Sequence, residues 1–215
     1  MNTNNSNLKT MKINFLYLNY MKTSKLFFAA IFCLTLITSC SDDDDPVIIN
    51  PEELITNVTL TFTNTSNATD IVTMTSVAPD GQDGSFTNTV VGSFTSGETY
   101  SLGLAITNES ESPADDVLND DIIPEADEHF FTYGVDAVSM TMSRDADDID
   151  GPDGNKLGVN TTWNVGVPGI GFSEIFSLNI TLVHEPVGSD DSNNFGTVTG
   201  GEEDFNITFS GVIIN

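Results

Sequence analysis

Two histidines of this chain each stand directly beside a glutamate, in the pairs Glu128-His129 and His184-Glu185. Imidazole nitrogens and carboxylate oxygens are ligands that Zn²⁺ and similar divalent transition metals take in proteins. Each histidine also falls in phase with the apolar residues of an alternating segment, so we expect both imidazoles to point inward at strand ends. If those ends meet, the four residues could hold a divalent metal. The alternative is a pair of strand-end histidines that hydrogen-bond to the backbone or to an acid.

The densest group of oxygen donors lies between Asp145 and Asn155, in a segment that includes two glycines. Hard carboxylate oxygens on a glycine-containing loop suit Ca²⁺, and here would make a weak site of the extracellular type. The segment does not follow the EF-hand pattern, because Ile149 occupies its fifth position and no glutamate stands at the twelfth. A hairpin turn rich in aspartate and glycine is the alternative. The candidate calcium ligands are Asp145, Asp147, Asp148, Asp150 and Asp153.

The sequence contains none of the motifs that would identify an enzyme. It has no glycine-rich phosphate-binding loop and no nucleophile elbow. Its acidic pairs are too numerous to mark the two carboxylates of a glycosidase, which need a particular separation across a cleft. We therefore expect a protein that is not an enzyme. The only cofactor that the residues suggest is a divalent cation, calcium or zinc.

A candidate lipidation site stands at Cys40. Lys22 and Lys25 precede an apolar run, Leu26–Ile37, which gives way to small residues directly before the cysteine. This order of basic, apolar and small residues is typical of a secretory signal. The cysteine at the cleavage position resembles the lipobox of bacterial lipoproteins, in which the sulfur receives diacylglycerol. The apolar run is too short for a membrane span, which needs about 20 residues.

These features predict three parts of the chain. Residues 1–39 are the signal peptide, with Met21 as the natural start. Residues 40–53 are the lipidated cysteine and a tether, whose run of four aspartates is expected to be solvated and extended. An acidic run after the lipidated cysteine resembles the export signal of Bacteroidota surface lipoproteins. We expect a lipid anchor in the outer membrane, on the cell surface or the periplasmic face, and a possible protein partner there.

Processing at Cys40 would make the protein strongly acidic. Only Arg144 and Lys156 remain as bases against all 32 acidic residues, a formal net charge of −30. Such a surface repels nucleic acids, and it attracts divalent cations or a basic partner. Solubility at the cell surface is the simpler explanation. Cys33 leaves with the signal, so disulfides and thiolate metal sites are excluded from residues 41–215.

From Leu54 onward, apolar and polar residues alternate with a period of two, as in antiparallel strands with one wet face. About nine short strands separated by Gly, Pro and Asp clusters predict a single all-β domain over residues 54–215, an antiparallel β-sandwich of immunoglobulin-like or jelly-roll-like type. The acidic stretch Pro113–Glu128 breaks the alternation and is expected to form a loop or short helix across one end. The predicted strands lie near Val58–Thr63, Asp70–Val77, Phe86–Phe94, Leu102–Ile106, His129–Tyr133, Val138–Arg144, Val159–Val165, Phe176–Leu182 and Phe205–Ile213.

Six short segments of the chain carry a family resemblance: Val58–Phe62, Gly97–Tyr100, Leu104–Glu109, Asp127–Phe131, Thr181–Pro186 and Gly200–Phe205. Together they resemble an uncharacterised family of Bacteroidota lipoproteins, some of them labelled "type 1 periplasmic binding fold". That label implies a two-lobed α/β binding protein, whereas the alternation of this chain predicts strands. The family implies no known reaction. We therefore expect a non-catalytic, membrane-anchored module that binds a ligand or partner at the cell envelope, or alternatively a metal-binding lipoprotein that uses His129 and His184.

Overall fold

The structure is a computed structural model that describes residues 54–78, 85–137, 139–167 and 173–215. The predicted signal peptide, Cys40 and the acidic tether lie outside the described residues. The described part contains a π-helical turn (Leu118–Ile122), a 3₁₀ turn (Pro152–Gly154) and eleven strands. The strands are β1 (Asn57–Asn64), β2 (Ile71–Val77), β3 (Thr87–Val91), β4 (Thr99–Thr107), β5 (His129–Val135), β6 (Met140–Arg144), β7 (Thr161–Val165), β8 (Glu174–His184), β9 (Gly188–Asp190), β10 (Thr197–Thr199) and β11 (Glu202–Ile214).

Two antiparallel sheets pack face to face as a β-sandwich, which confirms the predicted fold class. The larger sheet has the strand order β3-β2-β1-β4-β7-β6, and the smaller has the order β11-β8-β5. Strands β9 and β10 form a separate small ribbon. Burial alternates along β1 residue by residue, so its apolar side chains face the core and its threonines face outward.

The core between the sheets is rich in interlocking aromatic rings. Trp163 on β7 is fully buried and meets Phe62, Tyr133 and Phe195 in edge-to-face contacts with ring centroids 5.4, 5.6 and 6.1 Å apart. Edge-to-face aromatic pairs stabilise a core beyond the area they bury. The indole N–H donates to Thr161 Oγ1 at 2.9 Å, so this buried polar group is satisfied. This core supports the face of the smaller sheet on which the histidines lie.

Among the strands that are shorter than the alternation predicts, β3 and β7 each have a clear local reason. The third strand ends at Val91 because Gly92 turns the chain with a φ of +92°. Phe94 instead makes a parallel bridge to Ile214. The strand predicted to begin at Val159 begins two residues later, because the backbone N–H groups before it bind the buried carboxylate of Asp148.

The side chain of Arg144 covers part of the outer edge of β5. Its guanidinium donates to the carbonyl oxygens of Phe131 and Lys156, each at 2.6 Å, and to that of Asn194 at 3.0 Å. Its carbon Cζ also lies 4.5 Å from the centre of the Phe130 ring. Burial lowers the pKa of this guanidinium from its usual value. An open strand edge is a site for unwanted pairing. The hydrogen bond from Arg144 protects this edge together with the backbone carbonyls of Leu157 and Phe195, which accept the N–H groups of Phe131 and Tyr133.

The acidic stretch before β5 forms the short helical turn that the sequence predicts. Leu118 and Ile122 are buried, while Asp120 and Asp121 lie in the first turn of the helix. The chain then runs through Glu125 and Glu128 directly into β5. No helix within the described ranges is long and apolar enough to cross a lipid bilayer.

Candidate metal centre

The two histidines meet at one end of the smaller sheet. Strands β5 and β8 pair antiparallel in a register that sets His129 opposite His184. Their imidazole rings stack with centroids 4.7 Å apart and planes 13° from parallel. Both residues are buried. The strand ends therefore meet, as the metal hypothesis requires.

Three ligand atoms converge at this end of the sheet, one each from Glu128, His184 and Glu185, all within 4.8 Å of one another. Nε2 of His184 lies 3.5 Å from Oε2 of Glu128. That separation is long for a hydrogen bond. It is close to the distance of about 3.3–3.6 Å between two ligands that share a tetrahedral ion at 2.0–2.2 Å. Nε2 of His184 is buried and has no hydrogen-bond partner among the described residues.

The backbone ties the two glutamates of this group together. The N–H of Glu185 donates to the carbonyl oxygen of Glu128 at 2.7 Å, just beyond the last pair of the β5–β8 ladder. Glu185 adopts a left-handed conformation with a φ of +45°, which turns the chain at the end of β8. For a residue other than glycine, this conformation costs on the order of 1 kcal/mol. The turn places an exposed carboxylate beside the buried imidazole.

His129, the fourth residue of the hypothesis, lies outside this group of ligand atoms. Its Nδ1 is 3.1 Å from the carbonyl oxygen of Glu125, and its Nε2 is 3.9 Å from Oδ2 of Asp204. His129 and Asp204 have side-chain exposures of 0% and 1%, so they form a layer behind His184 that solvent does not reach.

Asp204, which lies beside His129 behind the three ligand atoms, was not predicted from the sequence as part of this site. In the alternation of β11, Phe205 and Ile207 face inward, which places Asp204 outward. The structure instead has a β-bulge between Glu203 and Phe205, and the inserted residue is turned into the interior, where it is buried. Nothing in the alternation predicts such an insertion, so a sequence pattern could not find this residue.

The carboxylates predicted to bind calcium point to separate partners. Asp148 is buried and turned inward, where its two oxygens accept three backbone N–H groups. Such a carboxylate holds a loop together, because it satisfies donors that burial would otherwise strand. The donors are Gly158 at 2.7 Å, Asn160 at 2.8 Å and Val159 at 3.1 Å.

The other acids of that segment do not gather around a common centre. Asp150 accepts from Nζ of Lys156 at 2.8 Å, and Oδ2 of Asp153 accepts the N–H of Ser189 at 3.0 Å. Asp145 and Asp147 join no group of three ligand atoms in the described part of the chain. This arrangement matches the alternative of a turn closed by its own hydrogen bonds.

Comparison of the chain with protein-family models, curated proteins and solved structures found no match.

The charges around Glu128, His184 and Glu185 favour the binding of a cation. Among the described residues, both bases, Arg144 and Lys156, are held by internal hydrogen bonds to backbone and carboxylate oxygens. The hydrogen bond to Asp150 raises the pKa of Lys156. The acidic stretch that precedes β5 leads directly to Glu128. An approaching cation therefore meets a surface dominated by carboxylates.

Proposed function

We propose that this protein is a membrane-anchored, non-catalytic β-sandwich that binds a divalent transition metal at the cell envelope, with Zn²⁺ as the best-fitting ion. Its ligands are Nε2 of His184 and one carboxylate oxygen each of Glu128 and Glu185. The observation that carries the proposal is the buried Nε2 of His184, which faces Glu128 at 3.5 Å without a hydrogen bond. One imidazole and two carboxylates form a ligand set that Zn²⁺ accepts.

The proposed site suits reversible binding. Structural zinc sites are closed by four protein ligands, whereas this site offers three and leaves a position for water or an external donor. Glu128 keeps 43% of its side chain exposed, and Glu185 is exposed, so an ion can reach the site from solvent. The proposed role is therefore the capture and release of an ion rather than the stabilisation of the fold.

The lipid anchor at Cys40 is part of the same proposal. It is supported by the order of basic, apolar and small residues before the cysteine, and by the acidic tether that follows. An anchored module with 32 acidic residues would concentrate cations close to the membrane surface on which it stands. The outer membrane, through the lipid on Cys40, is the expected partner.

Replacing either carboxylate ligand should weaken metal binding. We expect Glu128→Gln and Glu185→Gln each to raise the dissociation constant for Zn²⁺ by at least about tenfold, because an amide is a poor zinc ligand and carries no charge. Isothermal titration calorimetry of the purified full chain measures this change. Both side chains are partly or fully exposed, so the fold should tolerate the substitutions.

Glu202→Gln is the matched control. Glu202 is exposed and pairs in register with His184 across β11 and β8, yet it is not in the group of ligand atoms. Its loss removes the same charge at the same end of the sheet, and we expect a change of less than about threefold from screened long-range attraction alone. If Glu202→Gln weakened Zn²⁺ binding as much as the ligand substitutions, the binding would be explained by diffuse attraction of the ion to an acidic surface, and the defined site would be contradicted.

A further inference from the structure

A second layer of polar side chains lies behind the proposed metal ligand His184. It consists of His129 on β5 and Asp204 on β11, the strands on either side of β8. Asp204 reaches this position only because the β-bulge between Glu203 and Phe205 inserts it toward the interior. A carboxylate moved into the interior at this point needs an explanation, since burying one is costly.

The contacts of this layer form a chain that ends at the metal ligand. Oδ2 of Asp204 lies 3.9 Å from Nε2 of His129, and the carbonyl oxygen of Glu125 lies 3.1 Å from Nδ1 of the same ring. The His129 ring is therefore held by a hydrogen-bonding contact at Nδ1, and the Asp204 carboxylate lies close to its other nitrogen at a distance that is too long for a hydrogen bond. Its face stacks on the His184 ring at 4.7 Å with an interplanar angle of 13°. A ring held in this way limits how far the His184 imidazole can tilt.

We propose that His129 and Asp204 are positioning residues for the metal site: Asp204 orients the His129 ring, and the stacked His129 ring orients His184 toward Glu128 and Glu185. This inference rests on the proposed function and identifies the residues that support it. Outer residues that fix the ring of a histidine ligand typically change metal affinity by about 10- to 100-fold when they are replaced. Positioning differs from ligation, because here His129 contributes the face of its ring and gives no nitrogen to the metal.

The test compares two double variants that differ only in an aromatic ring. Asp204→Asn combined with His129→Phe removes the pairing of His129 with the Asp204 carboxylate but keeps a flat ring against His184. Asp204→Asn combined with His129→Leu removes the pair and the ring together. Pairing each change with Asp204→Asn avoids leaving a buried carboxylate against an apolar side chain. Asp204→Asn alone provides the third comparison, with its amide of nearly the same shape.

Metal affinity provides the first measurement. We expect Asp204→Asn to weaken Zn²⁺ binding by about tenfold, and the phenylalanine double variant to bind about tenfold more tightly than the leucine double variant. Equal affinities in the two double variants would overturn the stacking role. Loss of binding in both, with binding retained in Asp204→Asn, would make His129 a ligand and would also overturn the inference.

The imidazole proton spectrum without metal provides a second measurement that does not depend on the proposed function. The chain has only two histidines, and each double variant retains His184 alone, so its ring signals are assigned directly. A stacked ring shifts the protons above its face upfield. We expect the His184 ring protons to be upfield in the phenylalanine variant and shifted downfield in the leucine variant.

The two measurements separate the possible failures. If the wild-type chain binds no Zn²⁺ while the ring-proton shifts follow the expected order, the proposed function is wrong but the orienting contact stands. If the wild-type chain binds Zn²⁺ while the ring-proton positions are the same in both double variants, the positioning role is wrong and the metal site stands. Urea unfolding of each metal-free variant shows whether a change in affinity only follows a loss of folded protein.

Discussion

Arg144→Leu is expected to lower the free energy of unfolding by about 3–5 kcal/mol. Leucine retains the apolar stem but leaves three carbonyl oxygens without their donor, those of Phe131, Lys156 and Asn194. Each partly buried carbonyl oxygen that loses its donor lowers the free energy of unfolding by about 1–3 kcal/mol. Urea unfolding followed by the fluorescence of Trp163 measures the loss.

Two matched variants separate the charge of Arg144 from its geometry. Arg144→Lys retains a positive charge but cannot reach three carbonyls in different directions, so we expect an intermediate loss of stability. Lys156→Leu removes the neighbouring base, whose ammonium group donates to the carbonyl oxygen of Asp148 and to the exposed carboxylate of Asp150. Because 30% of this side chain is exposed, water can replace it at both oxygens, and we expect a loss of less than about 1 kcal/mol. A change of less than about 0.5 kcal/mol for Arg144→Leu, the usual range for surface substitutions, would show that water replaces the guanidinium without cost.

Cys40→Ala is expected to release the protein from the membrane fraction almost completely. A lipobox attaches diacylglycerol to the sulfur of its cysteine, and alanine has no sulfur to accept it. Without the lipid, the acidic chain has no attraction to anionic lipids. Cell fractionation measures the release of the protein from the membrane, and incorporation of labelled palmitate measures the loss of lipid from the chain. Cys33→Ala is the control, because Cys33 lies within the apolar run and should change neither result.

The outcome that would contradict the anchor is specific. If Cys40→Ala stayed in the membrane fraction to the same extent as the wild type, attachment would not depend on a lipid at this residue. The proposed concentration of cations at the membrane surface would then lose its physical basis. The metal site itself would be unaffected, since its residues lie on strand ends of the described domain.

The strands were predictable from the sequence where one face of a strand is dry and the other is wet. Along β1, threonines alternate with Val58, Leu60 and Phe62, and burial follows the same alternation. The ribbon of β9 and β10 was not predicted, because strands of three residues are too short to show a period. The order of strands within each sheet was not predictable either, since alternation specifies faces and not neighbours.

The candidate site was predictable in its residue types but not in its geometry. The pairs Glu128-His129 and His184-Glu185 consist of residue types that bind metals, and they predicted a metal site on that basis. Whether they meet depends on the register of β5 against β8, and a shift by one residue would turn one histidine to the other face. The β-bulge at Asp204 is a local shift in the register of β11 against β8. It turns this side chain inward, whereas the alternation places it outward.

The most direct test of the metal proposal is X-ray absorption at the zinc edge of the purified chain loaded with one equivalent of Zn²⁺. The spectrum reports the number of imidazoles and the number of oxygen neighbours around the ion. We predict one imidazole, from His184, with oxygen ligands at about 2.0–2.2 Å from Glu128, Glu185 and solvent. A shell of oxygens alone would contradict the role of His184, and a shell with two imidazoles would contradict the separation of His129 from the ligand set.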